Sequence, residues 1–270
     1  MKVVIGGANG LIGSELARTL RARGEEVVAL VRKPRDPGDV KWDGRSLPPG
    51  TLERADAAVN LSGANIGARR WSEAYKKEIV DSRVESTRAF VDAMRAGRVK
   101  PRVFVNASAV GAYGGRGDEE LTEESTRGGD FLAGVCKESE TEAHRADELG
   151  VRTVLLRTGV VLARQGGALK QMLPPFKAFV GGPIGSGKQW FPWIHLALHA
   201  VFHPPALERR GYDRGGPVLG IRVTSLEDMG GLVERNGARA LGAAQDIPGG
   251  RSRDFEDPDG YVFELVELRA

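Results

Sequence analysis

A glycine-rich segment near the start of the chain is the first group of residues whose spacing suggests chemistry. Gly7, Gly10 and Gly13 follow a GxxGxxG spacing, directly after the apolar residues 3–5. Such a loop between strand and helix permits a tight turn and close approach of the backbone to a pyrophosphate. The helix N-terminus then attracts the phosphates. The sequence therefore predicts a dinucleotide site at Gly7, Asn9, Gly10, Leu11, Ile12 and Gly13; the alternative is a glycine-rich turn that binds nothing.

Two cations at the end of the predicted second strand distinguish between the two nicotinamide cofactors. Arg32 and Lys33 stand where an NAD-preferring site places Asp or Glu to bind the adenosine ribose. Because an arginine can hold a phosphate through two hydrogen bonds, this pair favours NADP(H), with its extra 2′-phosphate, over NAD(H). A solvated basic loop is the alternative. Asp43, further along, is a candidate for binding the adenine amino group.

Alternating elements must position this loop. Short β-branched runs predict strands at residues 3–5, 26–32, 57–61, 102–107 and 152–162, and amphipathic runs predict helices at 11–23, 80–96 and 134–149. Strands that alternate with helices indicate βαβ units in a parallel sheet with both faces covered. We therefore expect an α/β domain of the Rossmann type, doubly wound, over residues 1–195.

The bulk composition is that of an ordinary globular protein. The chain has 270 residues, is 41% hydrophobic and carries a formal net charge of +3. This charge is too mild to indicate a nucleic-acid partner, and no apolar run approaches the roughly 20 residues that cross a bilayer. The single cysteine excludes an internal disulfide and fits a reducing compartment. With no signal peptide expected at the N-terminal end, we predict a cytoplasmic protein.

Several blocks in a fixed order carry a family resemblance. They lie at residues 6–13, 58–66, 70–71, 108–114, 156–162, 181–187 and 193–195. Over these blocks the chain resembles the atypical extended short-chain dehydrogenases usually labelled NAD-dependent or nucleoside-diphosphate-sugar epimerases. The resemblance covers the first 195 residues and implies a substrate with a reacting carbonyl or alcohol, such as a nucleotide sugar.

The resemblance also implies roles for individual residues. Further cofactor contacts at the nicotinamide ribose and phosphates would come from Asn60, Leu61, Ser62 and Gly63. Ala107 would also contact the cofactor, and Thr158, Gly159 and Val160 would border the nicotinamide. Ser108 would be the hydroxyl that binds the reacting oxygen of the substrate. The alternative for Ser108 is a serine that merely caps the end of a strand.

The usual acid–base pair of this superfamily is missing. A Tyr-x-x-x-Lys pair normally passes the proton, because the lysine lowers the pKa of the tyrosine. Aligning Glu140 with the family's downstream acid places Leu132 and Cys136 at these two positions, a loss that the family shares. Lys137 is one place off, a rotation of about 100° around a helix. Tyr113 is therefore the substitute candidate; its alternative role is a ring packed against the cofactor loop.

The last part of the chain resembles a different family. Residues 196–214 form a junction, and residues 215–270 predict a small α+β module in the order βαβββ. This module resembles the second half of a glyoxalase-type (vicinal oxygen chelate) domain, in which an acid at the position of Glu264 binds a divalent metal. Val218 stands where a histidine ligand is expected, so the alternative for Glu264 is a side chain that alternates on one strand face.

A single module of this kind leaves a sheet edge open. We expect it to pair with a second copy and form a homodimer; packing onto the first domain, or a fusion remnant without function, are the alternatives.

Three candidate functions follow from the whole sequence. The first is an NADP(H)-dependent oxidoreductase or sugar-nucleotide epimerase acting by hydride transfer. The others are a non-catalytic dinucleotide-binding sensor and a metal-dependent glyoxalase-type activity in residues 215–270.

Overall fold

The structure is a computed structural model that describes residues 1–182, 187, 189–196, 219–223, 225–235, 238–247, 250–256 and 262–268. The chain divides into two units, Met1–Ile194 and His195–Ala270. Within the described ranges, no helix is both long and apolar enough to span a membrane.

The first unit is built on a six-stranded parallel sheet, as the alternating pattern predicts. Its strands are β1 (Lys2–Gly6), β2 (Glu26–Val31), β3 (Val40–Lys41), β4 (Ala57–Asn60), β5 (Val103–Ala109) and β6 (Arg152–Thr158). They lie in the order β3-β2-β1-β4-β5-β6, and every neighbouring pair is parallel. This is the Rossmann order, in which a ligand crevice forms beyond the carboxyl ends of the strands where the order reverses. Here that point lies between β1 and β4.

The described residues of this unit form four α-helices: α1 (Leu11–Ala22), α2 (Glu73–Ala96), α3 (Phe131–His144) and α4 (Gly167–Lys177). Helix α2 begins before the predicted residue 80 because the Ser72 side chain accepts a hydrogen bond from the N–H of Tyr75 and caps the helix there. Helix α3 likewise begins before residue 134, since Asp130 accepts from the N–H of Ala133.

Alternating residues of the strands fill two apolar layers, one on each face of the sheet. On β1, Val4 belongs to a core that includes Phe90 of α2 and Phe104 of β5. Its neighbours Val3 and Ile5 belong to a second core that includes residues of α1. Successive side chains of a strand point to opposite faces, so this division shows a sheet covered on both sides.

The predicted strand over residues 152–162 is two strands. β6 ends at Thr158, and β7 (Val160–Ala163) pairs with β8 (Trp193–His195) instead of continuing the sheet. The N–H of Val160 donates to the carbonyl oxygen of Pro192 at 2.8 Å. A Cβ at Gly159 would lie 2.7 Å from the same oxygen, so only glycine lets the chain leave the sheet here.

The second unit contains the predicted strand–helix–strand order. Its elements are β9 (Leu219–Val223), α5 (Leu226–Arg235), β10 (Arg239–Ala240), β11 (Gln245–Ile247), β12 (Gly250–Glu256) and β13 (Val262–Leu268). The sheet order is β10-β12-β13-β9, with β11 also paired to β12, and β9 runs parallel to β13. Residues 238–244, which the sequence predicts as one strand, contain only β10, and β11 begins after them. Leu226, Phe255 and Leu265 form the core of this unit.

The predicted metal ligand lies on β13, where Glu264 is opposite Asp254 in the strand register. Val218 and the turn residues 257–260 lie outside the described residues. In the ranges that the structure covers, no three His, Cys, Asp or Glu side chains come close enough together to hold a metal ion.

Candidate active site

The glycine loop connects β1 to α1 and is packed too tightly for side chains. Gly7 has a φ of 74°, and a Cβ there would lie 2.9 Å from the backbone of Leu61. A Cβ at Gly13 would lie 2.3 Å from the carbonyl oxygen of Gly7. Gly10 occupies the N-cap of α1 and offers no side chain to cap the helix. The first N–H groups of α1 therefore have no side-chain acceptor from this cap and are available to an anion.

A buried hydroxyl beside the loop adds to this cradle. The Ser62 Oγ is buried and has no hydrogen-bond partner among the described residues. It lies 3.0 Å from the position that a Cβ at Gly6 would occupy. Leaving a buried hydroxyl unpaired costs about 1–3 kcal/mol, a cost that a polar ligand would remove. The close cradle, the helix N-terminus and this hydroxyl together fit the phosphates of a dinucleotide.

Asn60, at the end of β4, holds the segment that packs against the glycine loop. Its side chain is 2% exposed, donates to Asn106 Oδ1 at 2.9 Å and accepts from the N–H of Ser62 at 3.1 Å. It also donates to hydroxyls of α2. The amide is thus used within the protein, where it fixes the course of Leu61, Ser62 and Gly63. The implied contact of Asn60 with a nicotinamide ribose stays a prediction.

The predicted 2′-phosphate residues follow β2 at the same edge of the sheet. Arg32 and Lys33 are both exposed, and neither forms an ion pair or a side-chain hydrogen bond within the part of the chain that the structure covers. Asp43 is also exposed and accepts a hydrogen bond from the N–H of Arg45 at 2.9 Å. The structure therefore leaves the two cations available to a ligand, while Asp43 stabilises its own turn.

Ser108, near the end of β5, donates a hydrogen bond to a buried carboxylate. Glu140 of α3 is 0% exposed and accepts from the Ser108 hydroxyl and from Arg127. Arg157 of β6 binds the same carboxylate through two hydrogen bonds, of 3.0 Å from Nε and 2.9 Å from Nη2. Burial by itself would raise the pKa of Glu140, but the hydrogen bonds from Arg157, Ser108 and Arg127 outweigh it and lower the pKa to about 2. Glu140 is therefore ionised at neutral pH and accepts the hydrogen bond from the Ser108 hydroxyl.

Tyr113 lies at the other end of this network. It ends a 3₁₀ turn after β5, is buried, and its hydroxyl accepts from Arg157 Nη1 at 2.9 Å. The Arg157 guanidinium also lies 5.1 Å from the centre of the Tyr113 ring. The hydrogen bonds to Glu140 raise the pKa of Arg157, which stays charged. The two catalytic candidates, Ser108 and Tyr113, are thus joined through Glu140 and Arg157, a link that the sequence did not predict.

Helix α3 carries the two positions of the missing Tyr-x-x-x-Lys pair. Cys136 is buried, with its thiol 3.8 Å from the carbonyl oxygen of Ala109, and burial raises the pKa of this thiol. Lys137 is exposed, as the rotation of about 100° from the buried position 136 predicts. Leu132 packs near Gly111. The face of α3 toward β5 is therefore without a lysine.

The ends of β5 and β6 lie side by side. Ala107 is opposite Leu156 and Ala109 is opposite Thr158 in the register. Thr158 is followed by Gly159 and Val160, which turn out of the sheet. The segments after β4, β5 and β6 thus reach one edge of the sheet, as the implied cofactor contacts require.

Arg83 of α2 is a member of this region that sequence reasoning missed. Its guanidinium packs against Gly63, where a Cβ would lie 3.1 Å from the Arg83 Cζ. Its Nη1 donates to the carbonyl oxygen of Ile79 at 3.1 Å, and burial lowers the pKa of Arg83. Because α2 is long and rich in charged residues, the sequence does not distinguish this arginine from the solvent-exposed charged residues of the same helix.

Comparisons with known proteins agree with this geometry. A family model described as the NAD dependent epimerase/dehydratase family matches residues 3–210, beyond residue 195 where we expected the resemblance to end. The epimerase family protein SDR39U1 of Bos taurus is 39% identical over 251 residues, which are 92% of this chain and 82% of the relative. The comparisons support the first resemblance and give no support to the glyoxalase resemblance of residues 215–270.

Two solved structures are similar in both sequence and fold. Human SDR39U1, isoform 2, crystallised with NADPH, superposes with a TM-score of 0.66 at 40% identity over 73% of this chain and 67% of that one. The nucleoside-diphosphate sugar epimerase of Corynebacterium glutamicum gives a TM-score of 0.64 at 39% identity, over 74% of this chain and 42% of that one.

Proposed function

Because the chain belongs to the NAD dependent epimerase/dehydratase family, we propose that its first unit binds NADP(H) and transfers hydride. The hydride is removed from an alcohol substrate or added to a carbonyl substrate. The observation that carries the proposal is the glycine cradle at the N-terminus of α1, with the Ser62 hydroxyl beside it, which has no hydrogen-bond partner among the described residues. NADPH is the ligand in the crystal structure of the human relative, which is 40% identical.

The cofactor would be held by three groups of this chain. Gly7, Gly10 and Gly13 shape the loop over which the pyrophosphate lies, and the N–H groups of α1 bind it. Arg32 and Lys33 provide the charge that an extra 2′-phosphate requires. When bound, the nicotinamide supplies or accepts the hydride.

Ser108 is the residue that would bind the reacting oxygen of the substrate. Because the ionised Glu140 accepts the hydrogen bond that the Ser108 hydroxyl donates, the serine hydrogen is engaged and only the lone pairs of its oxygen are free. It can therefore accept a hydrogen bond from a substrate hydroxyl, which favours an alcohol as the bound form. Tyr113 is the proposed acid–base group, since its hydroxyl accepts a hydrogen bond from Arg157, a cation that stands beside the phenol as lysine does in the usual pair.

Titration of the purified protein with NADPH and NADH, followed by nicotinamide fluorescence, tests cofactor binding. A panel of alcohols, carbonyl compounds and nucleotide sugars then tests turnover. We expect Ser108→Ala to abolish turnover and leave the Kd of NADPH unchanged, while Ser46→Ala, at an exposed serine, changes neither. Failure of the wild type to bind either dinucleotide would refute the proposal. Tight NADPH binding without turnover would instead favour a non-catalytic dinucleotide-binding sensor.

For the second unit we propose pairing with another copy of the chain. Strand β9 is bonded to β13 on one side and lies at an edge of the described sheet. An open edge of this kind favours strand pairing between copies. Sedimentation at micromolar concentration should show a dimer, and a monomer would refute this proposal.

A further inference from the structure

Arg83 is a half-buried cation that packs against Gly63 of the candidate site and has no acidic partner in the part of the chain that the structure describes. We propose that Arg83 binds an anionic group of the substrate, a carboxylate or a phosphate, at the Ser108 end of the site. The inference rests on the proposed function, because it assigns a substrate class to the same site.

The position of the guanidinium is fixed by the segment after β4. A Cβ at Gly63 would lie 3.1 Å from the Arg83 Cζ and 3.2 Å from its Nη1, so the guanidinium lies against the glycine backbone. The 3.1 Å bond from Nη1 to the Ile79 carbonyl oxygen is the one hydrogen bond that this guanidinium makes within the described ranges. An arginine carries five N–H donors, so most of the planar fork is left for a ligand.

The charge of Arg83 is not balanced by its surroundings. Burial lowers its pKa, and no carboxylate of the described residues forms an ion pair with it. By contrast, Arg127 and Arg157 share the carboxylate of Glu140. A partly desolvated cation without a counter-charge is unfavourable by itself and favourable once an anion binds, because charge-assisted bonds to arginine are strong.

The contacts place Arg83 at the substrate end of the site. On α2, Arg83 lies one turn after Ile79, which packs against Val135 of α3, and one turn before Thr87, whose hydroxyl is 3.3 Å from the Ser139 hydroxyl of α3. This face of α2 is therefore directed toward the part of α3 that carries Cys136, whose thiol is 3.8 Å from the carbonyl oxygen of Ala109, the residue after Ser108. The neighbours of Gly7, Gly10 and Gly13, where the dinucleotide phosphates would lie, are the backbones of residues 7, 8, 61 and 62. Arg83 is therefore grouped with the residue that binds the reacting oxygen.

The local charge favours the same substrate class. Arg127 and Arg157 bring two positive charges to the carboxylate of Glu140, which neutralises one, and Arg83 adds a further charge from α2. A net positive site attracts an acidic substrate. The chemistry that fits is an alcohol or carbonyl that carries a carboxylate or phosphate near the reacting carbon, such as a hydroxy acid, an oxo acid or a sugar phosphate.

The test is an isothermal titration of the NADPH-saturated full chain with oxalate and with inorganic phosphate. We expect the wild type to bind at least one of them, and Arg83→Met to weaken that binding at least tenfold while the Kd of NADPH stays within twofold. Arg95→Met removes the same charge from an exposed position of the same helix and should change neither.

Two results would overturn the proposal. One is equal or absent oxyanion binding in wild type and Arg83→Met; the other is a tenfold loss of NADPH affinity in Arg83→Met, which would assign the guanidinium to the dinucleotide. If the wild type does not bind NADPH, the proposed function fails, and the same oxyanion comparison on the free protein still decides the role of Arg83.

A measurement on the wild type avoids the risk that Arg83→Met does not fold. Phenylglyoxal modifies accessible arginines, and peptide mass mapping reports the extent at Arg83. Oxalate should slow the modification of Arg83 at least tenfold in the NADPH-saturated protein and leave that of Arg95 unchanged. Equal rates with and without oxalate would contradict the proposal.

Discussion

Replacement of Glu140 by glutamine should destabilise the first unit by about 3 kcal/mol at pH 7. The carboxylate is 0% exposed, and its hydrogen bonds from Arg157, Ser108 and Arg127 lower its pKa from 4.5 to about 2. A shift of this size corresponds to about 3 kcal/mol of preference for the folded state. Glu140→Gln keeps the shape of the side chain but leaves two arginines beside a neutral group.

The pH dependence provides a second test of the same reasoning. Because the folded-state pKa of Glu140 is lowered, its stabilising contribution is fully present above pH 4.5 and is lost as the pH falls toward 2. The difference in unfolding free energy between wild type and Glu140→Gln should therefore be largest at pH 7 and decrease steadily between pH 4.5 and 2.

Urea unfolding followed by tryptophan fluorescence is a suitable assay. All four tryptophans lie in Met1–Ile194, at positions 42, 71, 190 and 193, so their signal reports on the first unit. Glu138→Gln, at an exposed position of the same helix, is the control and should change stability by less than about 0.5 kcal/mol. The reasoning is refuted if both variants cost the same, or if the cost of Glu140→Gln at pH 3 equals that at pH 7.

Three further predictions concern the cofactor loop, the 2′-phosphate residues and the thiol. Gly13→Ala should abolish NADPH binding, measured by fluorescence titration, because its Cβ would lie 2.3 Å from the Gly7 carbonyl oxygen. Arg32→Ala should weaken NADPH binding at least tenfold, about 1.4 kcal/mol, with little effect on NADH, since only NADPH carries the 2′-phosphate. Cys136 should react slowly with a thiol reagent at pH 8 in the folded protein and rapidly in urea, because burial raises the pKa of its thiol.

Matched variants control these measurements. Gly115→Ala has no neighbouring atom within 4 Å of the new Cβ and should leave NADPH binding intact. Arg35→Ala removes an exposed cation a few residues after Arg32 and should not alter the ratio of the NADPH and NADH affinities. The argument about the loop is contradicted if Gly13→Ala and Gly115→Ala lose the same NADPH affinity. The argument about the 2′-phosphate is contradicted if Arg32→Ala and wild type bind NADPH equally well, and the argument about the thiol if Cys136 of the folded protein is labelled rapidly.

The order of elements in the first unit follows from sequence periodicity, while several boundaries do not. The strand at 26–32 and the helix at 11–23 are confirmed within a residue at each end. The boundary at Gly159 was missed because it depends on a bond between Val160 and Pro192, far apart in sequence. The start of α2 was missed although Ser72 is a typical cap, since the apolar periodicity of that helix is weak in its first turns.

The sequence by itself determined the glycine cradle. Its requirements are local: a positive φ at Gly7 and space for no side chain at Gly13 leave glycine as the residue type, so the motif is visible without a fold. The prediction of a phosphate site at residues 32 and 33 is similarly local, because the two cations come directly after the predicted second strand. The family resemblance of the same segments has the same origin.

Only the tertiary structure decided the rest of the site. Ser108, Glu140 and Arg157 come from β5, α3 and β6, and they meet because β5 and β6 are neighbours in the sheet with α3 connecting them. The same packing leaves Arg83 beside Gly63 without an acid in the described ranges. The distances between elements decide which charges are paired and which face a ligand. The periodicity of the sequence carries no information about these distances.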